Sequence, residues 1–226
     1  MNESAGRKFD LFTYDAAQRF TSYGYQIGEI FKLLKERNGK GIRVLHIGTG
    51  SGFFRTYFGA RKDLRNLVTV VEMDYQRDLS PDVVADLRRS LPFADGVFDC
   101  VVCCQVMQYI PFSRLGLCLE EFARVLTPCG RAVLSFSNGG YYVALKIRLP
   151  GLTADKLFPI PFIRTSVSPK TRELWGEEYW EINRESHTVA EVIEELESRF
   201  HIQNQYRPLQ HPYHHFFILE RKGKNG

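Results

Sequence analysis

Val44-Leu45-His46-Ile47-Gly48-Thr49-Gly50-Ser51-Gly52 joins a short apolar run to three glycines at alternate positions, and a helical pattern starts at Phe53. An apolar run of this length, bounded by glycine, reads as a buried strand, and Phe53 to Leu64 reads as a helix. A glycine turn between strand and helix bends the backbone tightly, brings its N–H groups within reach of a ligand and aims the positive helix end at it. Asn66 to Val71 is a second apolar run. The segment is therefore a β-loop-α-β unit, with parallel strands and a right-handed crossover.

The alternation extends in both directions. Phe20, Tyr23, Ile27, Ile30, Phe31 and Leu34 share a helical face in Asp15 to Arg37, which stops at Asn38-Gly39. Short strands are expected at Val83-Val84, Val97 to Cys104 and Ala132 to Phe136, with a helix from Ser113 to Leu126 closed by Pro128 and Gly130. Thr188 to Phe200 reads as a helix opened by a capping box, Thr188 with Glu191. His201 to Arg207 and Tyr213 to Arg221 close the chain as an antiparallel pair. The expected fold class is α/β, a Rossmann-like, doubly wound, mostly parallel sheet with an antiparallel C-terminal pair and an insertion after strand five. The division is a single domain over 1–226: a helical cap (1–40), a ligand-binding core (41–137), a lid (138–187) and the C-terminal helix and strands (188–226).

The lid is expected because some fifty residues there lack a clear period yet carry many aromatic side chains, Tyr142, Trp175, Tyr179 and Trp180 among them. Pro150, Pro159, Pro161 and Pro169 argue against a long regular element, so the segment should act as a mobile cover that closes over bound ligands. Tyr142 and Trp180 are its candidates for touching a substrate. Val143 to Arg172 holds six Lys or Arg against one Asp, and Glu173 to Arg199 nine Glu against two Arg. The basic half would suit an anionic group such as an acidic sugar or a lipid-linked phosphate.

With 226 residues, 44% of them hydrophobic, the chain can bury one sizeable core. No run approaches the roughly 18 apolar residues of a membrane helix, and Met1 to Asp10 is too polar for a signal peptide, so a cytoplasmic protein is expected. Five cysteines do not make a disulfide framework. Cys100 and Cys103 have C-x-x-C spacing, but on a strand residues three apart face opposite sides, so inert thiols are expected. The net charge of +4 does not suggest a nucleic-acid binder.

Glu72 stands twenty residues after Gly52, where an acid at the end of a second strand can accept both hydroxyls of a ribose. Asp74 competes for that role. Phe53 occupies the position where a dinucleotide fingerprint needs a third small residue, which disfavours a nucleotide-dependent oxidoreductase.

Taken together, VLHIGTGSG (Val44–Gly52), VVEMD (Val70–Asp74), PDVVADLRRSLPFADGVFDCVV (Pro81–Val102) and ARVLTPCGRAVLS (Ala123–Ser135) resemble, in order, the class I S-adenosylmethionine-dependent methyltransferases, especially those with a methyltransferase domain of the ubiquinone-biosynthesis type. The resemblance spans about Ile42 to Ser137. It implies S-adenosylmethionine as cofactor, Gly48, Gly50 and Gly52 around its methionine part, and Glu72 on the ribose. It also implies Asp86 and the Leu87 amide on the adenine, and Cys104 and Gln105 beneath the sulfonium. The implied acceptor is a small molecule or a glycan- or lipid-linked group. Two positions depart from the family pattern: His46 stands where an acid is usual, and Gln108-Tyr109 where Glu-His is common. These departures leave open a cofactor-binding protein without transferase activity. No residue is assigned to catalysis; His187 and Tyr109 are weak candidates for a base, with Glu181 and His211 behind them. His211, His214 and His215 lack a nearby carboxylate, so no metal site is expected.

Overall fold

A computed structural model describes residues 16–140, 142–149, 152–159, 180–183 and 187–223. After helix α1 (Ala16–Glu36) come β1 (Ile42–Ile47), α2 (Phe53–Ala60), β2 (Val68–Asp74), β3 (Val83–Val84) and β4 (Phe98–Cys104). Then follow α3 (Leu115–Val125), β5 (Leu126–Ser137), β6 (Tyr142–Leu149) and β7 (Leu152–Pro159), with α4 (Val189–Glu197), β8 (Phe200–Tyr206) and β9 (His214–Arg221) last. Seven strands form one sheet in the order β3-β2-β1-β4-β5-β9-β8, in which β1 to β5 are parallel and β9 runs antiparallel between β5 and β8. The order reverses at β1, between β2 and β4. In such a sheet the ligand crevice lies outside the carboxyl ends of the strands at that reversal.

Parallel strands covered by helices on both faces must be apolar on both, which is why β1 and β4 read as continuous runs rather than alternations. In β4, Cys100 and Val102 pack with Ile30 and Leu34 of α1 and Phe54 and Phe58 of α2. Val101 and Cys103 pack on the other side with Leu119 and Phe122 of α3 and Val192 and Leu196 of α4. Cys100 and Cys103 thus lie on opposite faces, and burial drives the thiols of Cys100 and Cys103 well above their ordinary range. The capping box of α4 is formed as the sequence expects, with Glu191 N on Thr188 Oγ1 at 3.2 Å and Thr188 N on Glu191 Oε2 at 2.6 Å.

The insertion departs from expectation. Residues 142–149 and 152–159 pair antiparallel along their full length, from Tyr142 opposite Pro159 to Leu149 opposite Leu152, as a separate two-stranded sheet. The prolines did not forbid this. Pro159 ends a strand that has one partner only, so its missing N–H faces an open edge. Trp175, Tyr179 and the rest of 160–179 lie outside the described residues, as do 184–186. Among the described residues no helix is long and apolar enough to cross a membrane.

Candidate functional site

The three glycines after β1 all adopt the left-handed conformation, with φ of 86° at Gly48, 54° at Gly50 and 69° at Gly52. At Gly48 a side chain is also excluded by packing: an added Cβ would stand 2.3 Å from Cγ2 of Val106. At Gly50 it would stand 3.3 Å from the Tyr23 hydroxyl, which α1 brings over the loop, where the Tyr23 ring also packs on Phe53 at 4.8 Å.

The two acids of β2 have different surroundings. Asp74, at the tip of the strand, accepts the Thr49 amide on Oδ2 and the Gln76 amide on Oδ1, both at 2.9 Å, and so pins the glycine loop to the strand end. Glu72, to which the sequence reading gives the ribose, lies one pair inside the end of β1 rather than at the strand tip. Its side chain is fully buried and reaches the start of α2, where Gly52, as cap, has no side chain to offer. Glu72 Oε1 accepts the Arg55 amide at 3.3 Å, and Oε2 lies 3.1 Å from the Arg55 guanidinium. Arg55 is held in turn by Asp82 at 2.7 Å, and Asp82 takes the backbone N–H of Glu72. His46, the cross-strand neighbour of Glu72, stacks on Phe54 at 4.5 Å with Nδ1 3.6 Å from Glu72 Oε1. A resident carboxylate therefore occupies the N-terminus of α2.

Asp86 folds into a turn with Arg88. Its carboxylate takes the Arg88 amide at 2.9 Å and the guanidinium on both oxygens, which holds it below the usual carboxylate range. Leu87 is buried beside it, and its carbonyl faces Cys118 Sγ. At the tip of β4, Cys104 is partly buried, its thiol pushed up to about 12 by burial, and Gln105 is a non-glycine residue at φ 58°. A residue held in that region marks a position fixed by its surroundings. Gln105 Nε2 donates to Ser135 Oγ at 3.2 Å, and its Oε1 accepts from Ser137 Oγ at 2.8 Å and Gln108 Nε2 at 3.2 Å. Gln108 also donates to Ser137 Oγ, while its Oε1 is buried with no hydrogen-bond partner. Sequence reasoning missed Ser135 and Ser137; the signal was there as two hydroxyls at alternate positions ending an apolar strand.

Of the remaining candidates, Trp180 is corrected from substrate-facing to core: it is 5% exposed, donates its indole N–H to Ile110 O at 2.9 Å and packs on Phe112 and Phe136. His187 stacks on Phe112 at 3.9 Å. Tyr109 is 44% exposed on a short turn after Gln105. The backbone of Tyr142 opens β6; its side chain lies outside the described residues. Glu181 is buried and accepts the Tyr213 hydroxyl; His211 is buried and packs on the His214 ring at 3.9 Å. His214 Nδ1 lies 3.2 Å from Ser22 Oγ of α1, and His215 Nδ1 lies 3.2 Å from Asn138 Nδ2. Because an amide nitrogen only donates, His215 Nδ1 accepts. No group of His, Cys, Asp and Glu suited to a metal occurs among the described residues. A separate cleft lined by Leu33, Arg37, Cys129, Arg131 and Glu220 opens near the start of β5 and contains none of these groups.

Burial pushes His214 down to about 3 and His215 down to about 4, with His211 and Arg207 adding to the respective shifts. Both imidazoles stay neutral in the folded protein while those of the unfolded chain titrate near their ordinary value. As pH falls through about 6.5 the unfolded chain takes up protons that the folded one refuses, so stability present at neutral pH is lost. The expected loss between about pH 7 and about pH 5.5 is on the order of 2 kcal/mol, and His214→Gln with His215→Gln should flatten the slope. Urea titrations at the two pH values measure it. An unchanged slope in the double variant would assign the acid lability elsewhere.

Residues 45–134 match the family described as a methyltransferase domain. A stretch of 140 residues is 32% identical to an uncharacterized methyltransferase from a Mycobacterium species, covering 57% of this chain and 54% of that protein. Another of 109 residues is 33% identical to the biotin biosynthesis bifunctional protein BioHC of Cellvibrio japonicus, covering 46% of this chain and 21% of that one. The chain thus spans about half or less of the curated relatives it matches. Among solved structures it superimposes on the 1,6-didemethyltoxoflavin-N1-methyltransferase of Burkholderia thailandensis, which holds 1,6-didemethyltoxoflavin and S-adenosylhomocysteine (TM-score 0.53, 17% identity, 95% of this chain and 82% of the other). It also superimposes on the N-methyltransferase NodS of Bradyrhizobium japonicum in complex with S-adenosylhomocysteine (TM-score 0.52, 14% identity, 88% and 87%). At these identities the likeness to both structures is one of fold. Residues 45–134 are thus similar to a methyltransferase domain, on the fold that these two S-adenosylhomocysteine-bound methyltransferases share. In the matched region and just beyond it, the glycine loop, Asp74, Asp86, Gln105 and Ser137 all lie at or just beyond the carboxyl ends of parallel strands.

Proposed function

We propose that the chain transfers a methyl group from S-adenosylmethionine to a small-molecule or glycan- or lipid-linked acceptor. The observation that carries this reading is Glu72 at the N-terminus of α2. A dinucleotide would place its pyrophosphate there, on unpaired N–H groups and the positive helix end. Here a buried carboxylate already takes the Arg55 amide, so a second anion would be repelled. A sulfonium cofactor puts no phosphate at that point and is favoured by the acids around the loop.

The left-handed turn at Gly48, Gly50 and Gly52 and the unpartnered buried hydroxyl of Thr49 fit the methionine end. Asp74 holds the ribose: each of its oxygens accepts one backbone amide and keeps a second lone pair for a hydroxyl. Asp86 and Leu87 flank the adenine, with Arg88, an exposed partner of little energetic weight, swinging aside. Cys104 and Gln105 form the floor beside the reacting sulfur. S-adenosylmethionine supplies an activated methyl group on a leaving thioether, so the protein has chiefly to position the acceptor in line. The network of Gln105, Gln108, Ser135 and Ser137 presents neutral polar groups, and Gln108 Oε1 is available to an N–H or O–H of the acceptor. An N–H or O–H donor satisfies that oxygen without burying a charge.

Calorimetry with S-adenosylmethionine and S-adenosylhomocysteine tests the reading. Gly50→Val should weaken both by at least about tenfold while circular dichroism stays unchanged, because a β-branched side chain at φ 54° against Tyr23 displaces the turn. No binding by the parent protein, or unaltered binding by the variant, would remove the cofactor from this site.

A further inference from the structure

The β6–β7 hairpin is a surface of a kind the methyl-transfer reading does not use. Val143, Leu145 and Leu149 are 55%, 46% and 59% exposed, and the two-residue period of a strand sets them on one face of β6. Other exposed aliphatic residues among those described, such as Val84 and Leu117, stand singly, which is ordinary for a protein surface. Three exposed aliphatics sharing one face of a single strand are not, and an exposed apolar face of this kind marks a contact surface. An isolated two-stranded hairpin is also marginal in water, and this one is hydrogen-bonded to no strand of the seven-stranded sheet. The sequence of the hairpin adds Lys146, Arg148 and Lys156 against the single acid Asp155, with Lys146 and Arg148 at the alternate positions of the same strand.

We propose that this hairpin docks the protein on an anionic lipid bilayer, its Val143, Leu145 and Leu149 face against the headgroup–acyl boundary. An apolar face backed by basic residues on the opposite face is the composition that binds there, through buried apolar area together with attraction of the basic side to anionic headgroups. The two open edges of a two-stranded sheet need water for their N–H and C=O groups. Docking is therefore shallow and interfacial, without entry into the hydrocarbon. The hairpin begins five residues after Ser137, a span of at most about 18 Å, so the surface lies within reach of the acceptor end of the crevice. A docked protein thereby brings that end toward a lipid-embedded acceptor. Docking itself does not depend on methyl transfer.

The test is co-sedimentation of the full chain with vesicles of phosphatidylcholine containing about one quarter phosphatidylglycerol, and with phosphatidylcholine alone. The bound fraction should be at least about fivefold larger on the anionic vesicles and should fall as salt is raised. Leu145→Glu should lose most of it, with its thermal transition and S-adenosylhomocysteine affinity unchanged because the residue is exposed. Lys146→Glu with Arg148→Glu should lose the preference for anionic lipid. Absence of sedimentation by the parent chain, or equal sedimentation by Leu145→Glu, overturns the proposal. So does a dimer in sedimentation equilibrium that Leu145→Glu abolishes, which would make a second copy the cover. Should neither protein bind S-adenosylhomocysteine while vesicle binding behaves as stated, the methyltransferase reading fails and docking stands.

Discussion

Asp74→Ala is expected to weaken S-adenosylmethionine binding about ten- to a hundredfold, the equivalent of roughly 1.5–3 kcal/mol for hydrogen bonds to a charged acceptor. Two losses coincide in this one substitution. The carboxylate that pins the Thr49 amide is gone, so the glycine loop is no longer held to the end of β2. The acid at the strand tip to which the proposed site assigns the ribose hydroxyls is gone as well. Asp74→Asn separates the two: one amide oxygen still accepts from Thr49, so the loop stays pinned, yet the charge is absent and affinity should fall by an intermediate amount. Glu72→Ala should act differently. It removes the carboxylate at the start of α2 and leaves Arg55 to Asp82 and the Ser80 carbonyl, at a cost of about 1–3 kcal/mol in stability. Cofactor affinity of the folded Glu72 variant should change far less. Calorimetry and urea unfolding on the three variants decide between the acids; a Glu72→Ala protein of parental stability that no longer binds would return the ribose to Glu72.

The confusion between these acids has a physical source. A strand repeats every two residues, so Glu72 and Asp74 point to the same face and carry the same signature in sequence. What separates them is depth. Glu72 pairs in register with His46 inside the sheet, whereas Asp74 lies beyond the end of β1. Depth depends on where neighbouring strands stop, which only the assembled sheet defines. The same reasoning covers His46. In isolation it is a missing acid; in the fold its neighbour Glu72 supplies a carboxylate from the adjacent strand.

Most of the core was readable because its strands are apolar on both faces and its turns are marked by glycine and proline, signals that tertiary context does not overturn here. Helix ends shifted by only a few residues, as at α2, which stops at Ala60 rather than Leu64. Trp180 was less tractable. An aromatic in an aperiodic stretch can cover a ligand or fill the core, and its indole N–H on Ile110 O settles it as core. The hairpin was hidden for a different reason: its strands begin and end near prolines, and only pairing shows that Pro159 sits at an edge.

Gly48→Ala is expected to destabilise the fold by about 2–4 kcal/mol. Two costs add. At φ 86° an L side chain is in the left-handed region, which costs roughly 1–2 kcal/mol. The added Cβ would also lie 2.3 Å from Val106 Cγ2, and Val106 is β-branched, so its methyl groups cannot swing away without leaving the single preferred rotamer. Relief must then come from the backbone after β4, which carries Gln105 and the Ser135–Ser137–Gln108 network. Strain at the loop should thus reach the acceptor end of the crevice. Val106→Ala in the Gly48→Ala background removes the clashing methyl and should recover about half of the loss, the remainder being backbone strain. Urea unfolding of the two single variants and the double variant closes the cycle. Additive losses would show that Val106 does not enforce glycine at position 48.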